Sequence, residues 1–322
     1  MDIGVEFKLG MYKRMHEIRQ LEEQLYFKFM EGGVPGTLHQ CQGQEATAVG
    51  ICFALRDSDF ITTTHRPVGH CVAKGLAPYN IAAEIFGSSE GCSKGKGGAM
   101  HIGDFEKGIA TSIAIVGGGI PLAVGFGLSY KMKGEDGVAV SFFGDGASNE
   151  GTFHESINMA ALWDLPVLFV CENNNYGAST SYEKASAGDS IAGRAAAYGI
   201  PGVRIDGNDV LEVYETALEA VERAREGKGP TLIEAMTYRR RGHSRSDPCG
   251  YRPKEEVEYW FARDPLDIFK SKLLEEGVSP EKLTEIEKAV KKEIRAAITA
   301  GEEAVKAEVS TAFEDVYRSK IK

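Results

Sequence analysis

The 322-residue chain has no C-x-x-C pair among its six cysteines, which stand at 41, 52, 71, 92, 171 and 249. That spacing gives no zinc ribbon and no disulfide framework, so a reducing, cytoplasmic setting is expected. Positive charge is also short: 37 Lys and Arg against 47 Asp and Glu leave a net charge of −10. Neither broad nucleic-acid binding nor docking on an anionic membrane is expected, because both need a basic face. The opening MDIGVEFKLG resembles neither a signal peptide nor an Arg-rich transit peptide. Internal repeats and low-complexity segments are missing. One charge-free run, residues 108–130, is long enough to span a bilayer. It contains Thr111, Ser112, three successive glycines at 117–119 and Pro121, so it reads as a buried loop feeding a core helix.

What is present is an ordinary globular composition, 43% hydrophobic and 26% charged, which excludes a disordered chain. The length fits one large α/β domain or two smaller ones. Glycine is in excess, 38 residues, and 17 of them fall between 87 and 151. Glycine lets backbone approach a ligand closely, so this region is where a ligand is expected.

Apolar residues three or four apart (Met11, Met15, Ile18, Leu21, Leu25, Phe29) predict a helix over 8–31, stopped by Gly32-Gly33 and Pro35. A second helical pattern covers 44–55 after a polar loop with His39. Buried strands are expected at 138–144 and 167–172 with a helix at 153–163 between them. That strand–helix–strand unit implies parallel pairing and a right-handed crossover. A short strand at 202–206, a helix capped by Asn208 or Asp209 and running to Arg225, and a strand at 231–238 continue the alternation. The expected fold is α/β, a parallel sheet with helices on both faces. Composition changes near Tyr251: residues 252–322 hold two glycines and 30 charged residues of 71. Leu283, Ile286, Val290, Ile294 and Ile298 mark one amphipathic helix there. The expected organisation is therefore an α/β ligand domain over 1–251 and a helical C-terminal extension over 252–322.

The stretch carrying chemistry is G144-D-G-A-S-N-E-G through E172-N-N-N-Y-G177. Asp145 sits between two glycines at the carboxyl end of a strand, where open α/β sheets bind ligands. A following helix N-terminus favours negative charge. The second strand ends in Asn173-Asn174-Asn175-Tyr176. If the two strands are neighbours, a carboxylate, an amide oxygen and a backbone carbonyl meet at one edge. Those are hard oxygen ligands suited to Mg²⁺, which fills its remaining shell with phosphate oxygens and water. G-D-G alone is a common tight turn, and an Asn run alone is a capped loop. Their joint spacing on one strand–helix–strand unit carries the inference.

This pattern resembles the thiamine-diphosphate enzymes. More closely, it is similar to the α subunit of the first component of 2-oxo acid dehydrogenase complexes, pyruvate and acetoin members above all. The likeness rests on H39-Q-C-Q-G-Q-E-A, T64-H-R-P-V-G-H, G95-K-G-G-A-M-H, the G-D-G to E-N-N-N-Y block and R239-R-R-G-H-S-R-S-D-P, in that order. It implies Asp145, the Asn174 side chain and the Tyr176 backbone oxygen as Mg²⁺ ligands. Gly146 and Ala147 would donate backbone N–H groups to the diphosphate of thiamine diphosphate. Arg66 and Arg239 would neutralise it, a task suited to planar forks of donors. Ala114 and Val116 would hold the aminopyrimidine ring by backbone groups, with His65 nearby, where many members carry Tyr. His39 and His243 would line the reaction centre, His243 as proton manager, since an imidazole titrates near neutrality. His70, His101 and His154 read as structural, and Ser244 as a polar loop residue.

The resemblance also implies what another chain supplies. The Glu that activates the cofactor belongs to a separate β subunit, so an α₂β₂ heterotetramer active only when assembled is expected. The second partner is a lipoyl-bearing acyltransferase, which receives the acyl group left after decarboxylation of a 2-oxo acid. Acetoin cleavage is the alternative, and branched-chain substrates fit the G-D-G and G242-H-S block less well. No G-x-G-x-x-G fingerprint is present for a nicotinamide cofactor. G95-K-G-G lacks the G-K-[ST] of a P-loop. A non-catalytic scaffold that kept the fold would show a damaged metal site, and Asp145, Asn174 and Arg66 are intact.

Overall fold

A computed structural model describes residues 3–110, 112–315 and 317. Thr111 and the last residues of the expected C-terminal extension lie outside them. The chain opens with α1 (Val5–Met30), then α2 (Glu45–Phe53), β1 (Phe60–Thr62), α3 (Pro67–Ala73), α4 (Pro78–Ile85) and α5 (Gly119–Lys133). Next come β2 (Ala139–Gly144), α6 (Gly151–Leu162), β3 (Val167–Asn173), the two-residue strands β4 (Tyr176–Gly177) and β5 (Thr180–Ser181), and α7 (Tyr182–Ala185). The chain continues with β6 (Gly202–Asp206), α8 (Val210–Arg225), β7 (Thr231–Met236), α9 (Lys254–Phe261), α10 (Pro265–Glu275) and α11 (Pro280–Glu303).

Five strands form one parallel sheet in the order β1-β2-β3-β7-β6, and β4 and β5 make a separate small hairpin. β2 and β3 are direct neighbours, with Gly144 opposite Glu172. The expected parallel sheet with helices on both faces is therefore present. Alternate side chains of each strand feed two separate cores, as a period of two requires. Val140, Phe142, Leu168, Val170, Ile233 and Ala235 enter the core shared with α1, α2, α8, α10 and α11. Ala139, Phe143, Val167, Phe169, Cys171 and Leu232 enter the core covered by α5 and α6. α10 and α11 add Phe269, Leu273, Val290, Ile294 and Ile298 to the first core.

The predicted elements are found, with ends shifted by a few residues. The charge-free run resolves into a loop and α5, and no helix among the described residues is long and apolar enough to cross a membrane. Of the two capping candidates, Asp209 does the work: its carboxylate accepts from the Leu211 N–H, while Asn208 is turned to Arg263 and Thr237. Between β2 and α6 the chain makes one 3₁₀ segment, Asp145–Asn149, so Asp145 does not sit directly on the helix N-terminus.

Candidate active site

Four adjacent strands deliver the site from their carboxyl ends. β1 runs into Thr63–Arg66, β2 into Asp145–Ala147, β3 into Asn174–Tyr176, and β7 into Arg239 and then His243. All of these residues except Asn175 line one cavity of about 350 Å³, together with Gln44, Val116 and Gly117. Such a location at strand ends follows the general rule for open parallel sheets. The loops after β2 and β3 are pressed together: a Cβ on Gly146 would stand 3.3 Å from the Gly177 Cα. Glycine at both positions permits the approach.

Asp145 is 2% exposed, and burial holds its carboxyl up at about 6 despite the pull of Arg239 and Arg66. Among the described residues it has no ion-pair partner. The Asn run divides by geometry. Asn173 donates to Glu234 at 2.7 Å and accepts from the Asn175 N–H at 3.1 Å, an Asx turn. Asn175 takes the left-handed conformation, φ +67°, which turns the chain into the hairpin. Asn174 alone faces the cavity. Its Nδ2 donates to Gln44 Oε1 at 3.2 Å, and its buried Oδ1 has no partner.

Two guanidiniums face this oxygen-rich edge. Arg66 is 4% exposed and Arg239 1%, and neither pairs with a carboxylate among the described residues. Arg66 spends its donors on the Gln40 carbonyl at 2.8 Å and the His243 carbonyl at 2.6 Å. Arg239 donates to the Ala178 carbonyl at 2.9 Å, and its Nε is unpartnered. Burial, and then the charge of Arg239, lowers the Arg66 pKa to about 9. Two buried cations without a counter-ion are costly to hold. A polyanion would compensate them, so this donor set fits a diphosphate. The buried Asp145 carboxylate and the free Asn174 oxygen fit a hard cation beside it. In the rest of the R239-R-R run, Arg240 is half-buried and Arg241 is exposed. Arg240 pairs with Asp264 and lies 4.4 Å from the centre of the Phe261 ring, and Arg241 lies 4.6 Å from that of Tyr26.

Three imidazoles converge above the guanidiniums. His39 lies 4.8 Å from His65 and 5.1 Å from His243, ring centre to ring centre, and His65 lies 5.3 Å from His243. Burial and then Arg66 lower all three pKa values, to about 4 for His39, about 2 for His65 and about 4 for His243. His243 is thus held neutral at pH 7, below the near-neutral titration read from its residue type. Arg66 and Arg239 both aim N–H groups at its Nδ1, at 3.2 and 3.4 Å, so the ring proton belongs on Nε2. The ligand atoms of the trio lie within 4.8 Å of one another. The adjacent guanidiniums nevertheless oppose a cation there and favour an electron-rich oxygen.

Of the residues singled out in sequence, His65, Arg66, Val116, Asp145, Gly146, Ala147, Asn174, Tyr176, Arg239 and His243 line the cavity together. Ala114 does not, although its neighbours Ile113 and Ile115 do. His39 lines a smaller recess with Glu22 and Gln40. His70 stacks on Phe142 at 4.0 Å and meets Thr63 Oγ1 at 2.6 Å, His101 meets the Ser112 carbonyl at 3.1 Å, and His154 meets the Tyr198 hydroxyl at 2.6 Å. Sequence reasoning missed Gln44, although the H39-Q-C-Q-G-Q-E-A motif contains it. G95-K-G-G forms a nest of backbone N–H groups, but it is filled from within. Glu84 accepts from Ser93, Gly95, Gly97 and Gly98 at 2.7 to 3.1 Å.

A parallel sheet whose carboxyl edge gathers unpaired cations, a buried carboxylate and a free amide oxygen defines a diphosphate-cofactor enzyme of the α/β class. The chain belongs to the family described as dehydrogenase E1 component, whose model matches residues 13–310. Membership makes the protein an oxidoreductase subunit and supports thiamine diphosphate as the cofactor. It is 50% identical to the α subunit of acetoin:2,6-dichlorophenolindophenol oxidoreductase of Bacillus subtilis, over 99% of this chain and 96% of that one. The corresponding subunit of Cupriavidus necator is 43% identical over 99% of this chain and 96% of its own. The α subunit of the pyruvate dehydrogenase E1 component of Rhizobium meliloti is 42% identical over 90% of this chain and 84% of its own.

Proposed function

We propose that this chain is the diphosphate-binding α subunit of a thiamine-diphosphate-dependent enzyme that cleaves a carbon–carbon bond beside a carbonyl and hands the acyl fragment to a lipoyl group. The observation that carries this reading is the unpaired pair Arg66 and Arg239 facing Asp145 and the free Asn174 oxygen in one cavity. Bound there, thiamine diphosphate would supply the electron sink that such a cleavage needs. Asp145, Asn174 and the Tyr176 backbone oxygen would hold Mg²⁺ against the diphosphate. Arg66 and Arg239 would neutralise the diphosphate, and Gly146 and Ala147 would donate to it from the backbone. Val116 and, two residues before it, Ala114 would offer backbone groups to the ring end. With the guanidiniums compensated by an anion, the part of the His243 depression owed to Arg66 and Arg239 would be relieved, while burial would still favour the neutral ring. His39 and His65 would orient the substrate oxygens as neutral donors.

The cavity opens beside Ile115 and Val116, which are 75% and 52% exposed. Leu122 on α5, Met159 and Leu162 on α6, and Trp163 just after it add further exposed apolar surface. An uncovered apolar face of this kind supports a protein partner. The names of the relatives, each a subunit α, support the same reading. The partner proposed is a β subunit in an α₂β₂ heterotetramer, with a lipoyl-bearing acyltransferase as the second partner.

Two substrates remain in view. Full-length identity to the acetoin enzymes favours acetoin, and the match to pyruvate dehydrogenase subunits supports pyruvate as the second reading. The test is dye reduction by the chain co-expressed with its β subunit, with thiamine diphosphate and Mg²⁺ added or withheld. Acetoin, pyruvate and 3-methyl-2-oxobutanoate are compared. Cofactor-dependent turnover that vanishes in Asp145→Ala is expected, and the preferred substrate assigns the complex. An assembled pair that binds no thiamine diphosphate by calorimetry would favour the scaffold reading instead.

A further inference from the structure

An amide side chain has two unlike ends, and a metal site needs only one of them. Asn174 can present its oxygen, a ligand, or its NH₂, which repels a cation. The choice is set by what the far end of the amide meets. Here Asn174 Nδ2 donates to Gln44 Oε1 at 3.2 Å, which leaves Oδ1 directed elsewhere and unpartnered. The neighbouring asparagines offer no substitute acceptor: the Asn173 oxygen takes the Asn175 N–H, and the Glu234 carboxylate is bound to Asn173, Ser190 and Ala192.

Gln44 is itself held rigidly. It stands at the start of α2, 1% exposed, and its N–H donates to the Cys41 carbonyl at 2.9 Å. The next residue, Glu45, is clamped by Arg19 through contacts of 2.5 and 3.0 Å and accepts the Gly43 N–H at 2.9 Å. Gln44 itself lines the cavity with Asp145 and Asn174. Its own Nε2 is buried without a partner. A buried donor left unmade is expensive, so this one is available to an oxygen of whatever enters.

We propose that Gln44 is a positioning residue for the diphosphate–metal site: it fixes the Asn174 amide with oxygen toward the cation and offers its Nε2 to an oxygen of the bound cofactor. The inference rests on the reading of Asn174 as a metal ligand. Outer-shell partners of this kind change metal affinity by about 10- to 100-fold when removed.

The test measures Mn²⁺ binding by electron paramagnetic resonance and thiamine diphosphate binding by calorimetry at saturating Mn²⁺, on the assembled protein. Gln44→Leu cannot accept from Asn174, so metal affinity falls about 10- to 100-fold. Gln44→Glu still accepts, so metal affinity stays near that of the wild type, while thiamine diphosphate binds more weakly for want of the Nε2 donor. Thermal midpoints, read alongside, separate positioning from packing. Loss of metal affinity in both variants in step with a lowered midpoint makes Gln44 a packing residue and overturns the proposal. Wild-type metal affinity in Gln44→Leu also overturns it, and Asp145→Asn then decides how far the failure reaches. If Asp145→Asn has lost the metal, the site reading stands without Gln44. If Asp145→Asn binds Mn²⁺ like the wild type, the metal-site reading itself fails.

Discussion

Glu22 is a carboxyl group buried in α1 with no cation to pair with. It is 2% exposed, and its contacts are the Cys41 thiol, which donates to Oε1 at 3.3 Å, and the Gln40 amide, which donates to its backbone carbonyl at 2.7 Å. Burial pushes its pKa from about 4.5 to about 7. The unfolded chain gives up this proton first, so between those values the folded state holds more protons. The contribution of Glu22 is therefore least unfavourable below pH 4.5, worsens as pH rises through the window, and carries the full penalty above pH 7. A shift of that size is worth roughly 3 kcal/mol at 1.36 kcal/mol per pH unit. Glu22→Gln keeps an oxygen for the Cys41 thiol and removes the ionisation. The variant should therefore be more stable than the wild type by roughly 3 kcal/mol at pH 8, on the order of 5 °C in thermal midpoint for a chain of this size. The gap should close toward pH 4.5. Thermal unfolding of both proteins from pH 4.5 to 8 measures it. A gap that is flat with pH, or that widens toward acid, refutes the burial argument.

Three further outcomes follow from particular contacts. Arg66→Lys keeps the charge but cannot bridge the Gln40 and His243 carbonyls while facing the cavity. Losing one charge-assisted hydrogen bond costs about 1.5–3 kcal/mol, so calorimetry should show thiamine diphosphate affinity reduced about 10- to 100-fold. Glu84→Gln turns an NH₂ toward two of the four backbone N–H groups in the 93–98 loop. Stability should fall by about 2–6 kcal/mol, read as a lowered thermal midpoint, at about 1–3 kcal/mol for each of the two unsatisfied donors. Leu162 is 71% exposed on α6. Leu162→Asp should leave the fold of the chain unchanged within about 0.5 kcal/mol, yet reduce assembly with the β subunit in sedimentation.

The alternation of strands and helices was legible because each element is long enough to show its period. Six- and seven-residue strands such as Ala139–Gly144 and Val167–Asn173 carry continuous apolar runs, and α11 shows its stripe over 24 residues. β1 was not legible. Three residues, Phe60–Thr62, have no period, and only pairing with Ala139–Ser141 makes them a strand. α3 and α4 were also missed, although Pro67 and Pro78 at their first positions are a usable start signal.

The sequence by itself determined the chemistry at the strand ends: a carboxylate after β2, an amide and a carbonyl after β3, and a guanidinium after β7. Those groups are local to their strands, so spacing alone orders them. Only the tertiary structure decided which groups meet. Insertion of β7 beside β3 brings Arg239 to Asp145, and pairing of β1 with β2 brings Arg66 to the same edge. Folding also chose Asn174 from three successive asparagines, because Asn173 and Asn175 are consumed by the turn. It drew His39, His65 and His243 together and lowered their pKa values through a shared burial and two guanidiniums. Proton affinity depends on what surrounds a group in space, and distance along the chain does not encode that.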